Sequence, residues 1–175
     1  MLYQVIHIEG VQPSRQSERV MSDDPYVMKL GKILGNLHSL EALLRVFLAN
    51  LDERDALAPG QTFDNLKVGD SVAESPFTNW DTLGALIRKY NAIVQDSHRV
   101  DGSLVDLRDA LAHGRFWSGS NSFPLQLLRF SRPEKGRTTV TWSQTIDDEW
   151  LDLQIRRVFE AVTKVAESSK SPPAW

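Results

Sequence analysis

The strongest constraint on the fold is an apolar run between Pro25 and Asp52 that repeats at three- and four-residue spacing. Val27, Leu30, Leu34, Leu37, Leu44, Leu48 and Leu51, reinforced by Ile33, Leu40, Leu43 and Phe47, keep the rhythm throughout. At roughly 100° per residue this spacing lays the side chains along one face of a helix. A face of that length must be buried against other elements. Asp24-Pro25 provides an N-cap followed by proline at the first helical position, and Ala58-Pro59-Gly60 closes the segment. The chain is therefore expected to be mainly α.

The remaining pattern adds three helices and a hairpin. A loop carrying at most short structure is expected from Gln61 to Pro76. A second helix should begin near Thr78 or Asn79, with Trp80, Leu83, Leu86, Ile87, Tyr90 and Val94 facing inward. A third begins after Asp96 or Ser97, with Asp101-Gly102-Ser103 either interrupting it or supplying its cap. Pro124–Ser131 and Thr138–Gln144 flank Arg132-Pro133-Glu134-Lys135-Gly136-Arg137, whose proline and glycine suit a turn. A last helix, capped by Asp147 or Asp148, places Leu151, Ile155, Val158, Val162 and Val165 on one face. The expected organisation is a short strand and loose segment over 1–23, a bundle of about four main helices over 24–168 with a β-hairpin at about 124–144 between the last two, and a flexible tail over 169–175.

Chemistry is concentrated in the third helix, in Leu107-Arg108-Asp109-Ala110-Leu111-Ala112-His113-Gly114. Leu104, Leu107 and Leu111 form its apolar stripe. Asp109 and His113, one turn apart, share the opposite face, and Arg108 sits on the flank with a stem long enough to reach either way. Gly114 suits the left-handed position just past a helix end, which leaves His113 in the last turn, where the negative end of the helix dipole suits a cation. Arginine presents a planar, permanently charged fork for a phosphate, and histidine is the side chain whose ordinary titration lies near neutrality. Together they can hold a phosphodiester and move protons. The plainer reading is a pair of solvated residues, with His113 a favourable helix end.

An arginine, a polar residue, three more residues and a histidine near the end of the third main helix resembles the HEPN family, many of whose members are metal-independent endoribonucleases of toxin-antitoxin, abortive-infection and other defence systems. Arg108, Asp109 and His113 carry the resemblance, which extends over roughly residues 24–168. It implies a HEPN-like helical bundle and a homodimer in which both copies of the motif face one cleft. It also implies an RNA substrate, with Arg108 on the scissile phosphate, His113 as general acid or base during 2′-hydroxyl attack and Asp109 auxiliary, no metal or other cofactor, and a possible cognate antitoxin. The hairpin departs from the simplest family pattern. The alternative is a non-enzymatic helical module that binds protein or RNA through the same face.

Composition bounds these readings. With 175 residues the chain makes about one domain. The absence of cysteine removes disulfides, thiolate zinc sites and cysteine nucleophiles, and fits a reducing cytoplasm. No apolar run reaches the roughly 18 residues of a membrane helix, and Gln4, His7 and Glu9 do not make a signal peptide, so a cytoplasmic protein without a membrane segment is expected. The net charge of −3 argues against coating nucleic acid by bulk electrostatics. From Arg108 to Arg137, however, six cations face two acids, a balance of +4 that leaves −7 elsewhere. This stretch either attracts RNA or is a charged, solvated hairpin.

Glu41 falls within the apolar rhythm of the first helix, and a buried carboxylate needs a partner. A local pair with Arg45 is one reading, and orientation of Arg108 from across the bundle is the other. His38 and Glu41 could touch one ion, but the repeated ligand pairs of a di-iron bundle are absent. No phosphate-cradling glycine loop, His-Glu-x-x-His or Gly-x-Ser-x-Gly occurs. Phe116 and Trp117 are expected to pack the helix end rather than to stack on a nucleotide.

Overall fold

The computed structural model describes residues 25–52, 62–117 and 124–169. Readings that fall on 1–24, on 53–61 and on 170–175, including the N-terminal strand, the Asp24 cap, the Ala58-Pro59-Gly60 closure and most of the tail, lie outside these residues. Within them the order is α1 (Pro25–Asn50), α2 (Leu83–Asn91), α3 (Leu104–His113), β1 (Arg115–Trp117), β2 (Leu125–Phe130), β3 (Val140–Ile146) and α4 (Asp148–Ser168). Short 3-10 turns occupy Phe63–Asn65 and Asp96–His98.

This corrects the expected fold class. The described residues form a helix-rich mixed fold, four helices with a three-stranded antiparallel sheet in the order β1-β2-β3, rather than a helical bundle carrying a simple hairpin. The sheet spans 115–146, wider than the expected 124–144, because the chain leaves α3 directly into β1 and pairs with β2 through Arg115↔Leu128, Phe116↔Leu127 and Trp117↔Gln126. A three-residue strand has no periodicity of its own to reveal it; its identity comes from partners 9 to 13 residues away.

The turn between β2 and β3 follows from local chemistry. Lys135 and Gly136 both have positive φ, 49° and 76°, and Glu134 and Arg137 exchange backbone hydrogen bonds of 2.8 and 2.9 Å. Two consecutive positive φ values match the right-handed twist of the flanking strands.

The core lies between α1 and α4. Ile33, Leu37, Leu40, Leu44, Phe47 and Leu48 of α1 are buried, as are Leu151, Val158, Ala161 and Val165 of α4. The α1 stripe is thus centred one residue away from the expected line. Leu34 is 41% exposed, whereas Ile33 is fully buried. Lys29 pairs with Asp148 and Asp152 at 2.6 and 2.8 Å where both helices begin. At their far ends Phe47 meets Tyr90 of α2 edge to face at 4.9 Å, and the Tyr90 hydroxyl lies 2.8 Å from Ser168 Oγ. The two long helices therefore run in the same sense, with Tyr90 closing the core between them.

The second helix starts later than expected. Thr82 is its N-cap, accepting from the Ala85 amide, and Leu83, Leu86, Ile87 and Tyr90 are buried. Trp80, expected inward, is 99% exposed. The backbone around it is held elsewhere: Arg45 donates to the carbonyls of Pro76, Asn79 and Asp81 at 3.3, 3.0 and 2.7 Å. Asp147 caps α4, accepting from the Trp150 amide at 2.8 Å. No helix among the described residues is long and apolar enough to cross a membrane.

Candidate active site

The motif helix is short and held at both ends. At its start Asp101 bends the chain, accepting from the Ser103 amide at 2.9 Å and from the Ser103 hydroxyl at 2.6 Å. Asp101-Gly102-Ser103 thus acts as the start of α3, separating it from the Asp96–His98 turn. Arg157 of α4 ties this corner down, donating to Asp101 Oδ2 at 2.9 Å, Ser103 Oγ at 2.7 Å and Gln154 Oε1 at 2.8 Å. The Ser103 hydrogen bonds, with Arg157 beside them, hold the Asp101 carboxyl below the ordinary carboxylate value. Leu104, Leu107 and Ala110 face the core, while Leu111, expected in the stripe, is only partly buried. Ala110 is small enough to sit where the helix meets β2.

At its other end α3 passes straight into the sheet. Gly114 is extended, with φ −73° and ψ 173°, so it does not occupy the left-handed position expected of a helix-ending glycine. Its glycine character has another cause. A Cβ there would collide with the Ala110 carbonyl oxygen and would lie 2.5 Å from Leu127 Cδ1. Close approach, not backbone twist, requires the missing side chain.

Between these anchors the three candidate residues are all accessible. Arg108 Nη1 donates to Asp109 Oδ1 at 2.8 Å, and their side chains are 38% and 36% exposed. This pair draws the Arg108 fork from the flank of the stripe towards the face that Asp109 shares with His113. Among the described residues the rest of the guanidinium has no hydrogen-bond partner. His113 is exposed, and no hydrogen bond joins its imidazole to Arg108 or Asp109. Its carbonyl oxygen accepts from Arg115 Nη1 at 3.0 Å, with Gly114 O at 3.4 Å, so a second guanidinium covers the negative end of α3.

Two other expectations resolve differently. Glu41 does not reach Arg108: its Oε1 accepts from Arg45 Nη2 at 3.0 Å and Nε at 3.3 Å, the local pair of the two readings. Trp117, expected to pack the helix end, is 67% exposed, and Phe116 is 43% exposed. Arg-Phe-Trp directly after a glycine was the available signal, since aromatic residues favour strands, but only the pairing with β2 fixes where they point. Among the described residues no three His, Asp or Glu side chains converge as a metal site would require.

Chemically, the arrangement offers a partly engaged guanidinium and an exposed imidazole on one accessible helix end. No protein-family model matches the chain, and neither a curated protein nor a solved structure is similar to it.

Proposed function

We propose that the protein is an endoribonuclease that cleaves RNA by attack of the 2′-hydroxyl on the adjacent phosphodiester. Arg108 binds the scissile phosphate and His113 acts as general acid or base; Asp109 orients the guanidinium. The observation that carries this reading is the location of Arg108, Asp109 and His113 at the accessible end of a helix that is pinned at Asp101 and again at Gly114. A site on a rigid, doubly anchored element keeps its geometry when substrate arrives. A proton-transfer group must reach solvent or substrate, and an exposed imidazole satisfies that, whereas a core histidine would not.

The proposed reaction leaves a 2′,3′-cyclic phosphate and a 5′-hydroxyl: the 2′-oxygen forms a bond to phosphorus, the 5′-oxygen bond breaks, and one proton is taken and one returned. Arg108 supplies the phosphate charge neutralisation, so no metal is assigned a part. Because Arg108, Asp109 and His113 are accessible on one face of α3, the working form is proposed to be a homodimer that brings two such faces together. A cytoplasmic defence or toxin-antitoxin setting, with an antitoxin as a further partner, belongs to the same proposal.

The test is cleavage of a labelled RNA by purified protein in excess EDTA. Wild type is expected to give cyclic-phosphate ends, and His113→Ala to lose about 100-fold or more in rate with an unchanged melting temperature. A His113→Ala variant that cleaves as fast as wild type removes the assignment.

A further inference from the structure

The face of the sheet turned away from the core begins at the motif. On β1, Phe116 lies opposite Leu127, which is fully buried against the end of α3. Alternation along a strand then turns Arg115 and Trp117 to the other face. Across from them stand Leu128 and Gln126 of β2, and beyond these Ser143 and Thr145 of β3. Arg129, on the inner face with Leu127, reaches Asp106 of α3 at 3.5 Å, which confirms the side on which the helices pack. On the outer face Arg115, Trp117 and Ser143 are exposed, and Gln126 Nε2 donates to Thr145 Oγ1 at 2.7 Å beside the indole.

We infer that this outer face is a binding platform for single-stranded RNA, on which Trp117 stacks against a base and Arg115 holds a phosphate of the strand entering the His113 site. The identity of the ligand rests on the ribonuclease reading; the placement of the side chains does not. Three observations select this occupant. The segment from Arg108 to Arg137 carries a balance of +4 in a chain of net charge −3, and Arg132, Lys135 and Arg137 are exposed around the hairpin turn, so the positive charge complements a polyanion. A large, exposed indole with no partner ring among the described residues offers the stacking surface that unpaired bases use, and a duplex does not present its base faces. Finally, the platform is continuous with the catalytic face. Arg115 already touches the His113 carbonyl, and Trp117 is at most about 14 Å further along the chain from His113, a few stacked nucleotides at about 3.4 Å each.

The experiment measures binding without cleavage. A fluorescein-labelled 2′-O-methyl oligoribonucleotide of about 12 nucleotides, which lacks the attacking hydroxyl, is titrated with full-length protein as a single strand and as a duplex, with anisotropy as readout. The single strand should bind more tightly. Trp117→Ala should weaken binding about tenfold or more and Trp117→Phe should restore most of it; Arg115→Ala should weaken binding and lower the salt slope by about one. Both Trp117 variants should keep the wild-type melting temperature, and Arg115→Ala, which uncovers the end of α3, should lower it by no more than a few degrees. With cleavable RNA, Trp117→Ala should raise KM and leave kcat unchanged. Wild-type affinity in Trp117→Ala, equal affinity for the duplex, or no binding by wild type overturns the inference. Wild type that binds through Trp117 yet cleaves nothing retires the nuclease reading and upholds the platform. Wild type that cleaves with a KM indifferent to Trp117→Ala does the reverse.

Discussion

Two residues of the motif segment have roles that their neighbours define. Arg108 shares one N–H with Asp109, and the proposed phosphate contact would use the planar fork that remains. Arg108→Lys should therefore lose most cleavage, because an ammonium cannot hold Asp109 and span two phosphate oxygens in one plane, while the melting temperature stays within about a degree for so accessible a side chain. Gly114 behaves oppositely. Gly114→Ala drives a methyl into the Ala110 carbonyl and the Leu127 side chain, and the backbone carbonyl cannot turn aside. The expected cost is about 1–3 kcal/mol in a urea melt, together with reduced cleavage, because the displaced strand carries Arg115 away from His113. A fully stable Gly114→Ala protein would show that the α3-to-β1 passage has slack that the distances deny. The sequence singles out Gly114 as special, but for the wrong reason. A helix-ending glycine and a glycine under a packed leucine look identical along the chain.

At the scale of elements, short helices are set by what holds their first turns. Arg45 fastens the approach to α2 through three carbonyls while Glu41 holds its other edge. Arg45→Ala should cost about 3 kcal/mol, since hydrogen bonds to a charged, largely buried group are lost together; Glu41→Gln, which leaves those carbonyls in place, should cost clearly less. Two carboxyls at helix starts sit below their ordinary value of 3.8: Asp81, chiefly through its hydrogen bond to Lys89, and Asp101, chiefly through Ser103. Because the folded state binds these protons less readily than the unfolded chain, their stabilisation is complete above the ordinary value and disappears as pH falls through the lower folded values. Urea midpoints measured from about pH 5 to pH 2 should fall, and Asp101→Asn should flatten part of that fall. An unchanged slope in Asp101→Asn would mean that the Ser103 and Arg157 contacts contribute nothing to folding. These anchors were only half visible in the sequence: Asp101-Gly102-Ser103 announces a cap, whereas nothing near Arg45 announces that its partners lie more than thirty residues on.

For the whole molecule, the proposed site needs a second copy. Light scattering at micromolar concentration should give about twice the chain mass, with exchange between copies restoring activity when an Arg108→Ala protein is mixed with a His113→Ala protein, if each site draws residues from both chains. A strictly monomeric particle would remove the composite site. What the sequence determined by itself was whatever local interactions decide. The long helices α1 and α4 follow from three-four periodicity and near-neighbour backbone hydrogen bonds, the hairpin turn from Lys135-Gly136, and the α3 motif from residues within two turns of one another. Only the tertiary structure decided that Ile33 rather than Leu34 leads the buried stripe, that Trp80 leaves the core, and that Arg-Phe-Trp becomes a third strand with Trp117 facing out. The physical reason is the same in each case. A helix completes its hydrogen bonds within itself, whereas a strand, a half-buried arginine and an exposed indole take their places from partners distant in the chain.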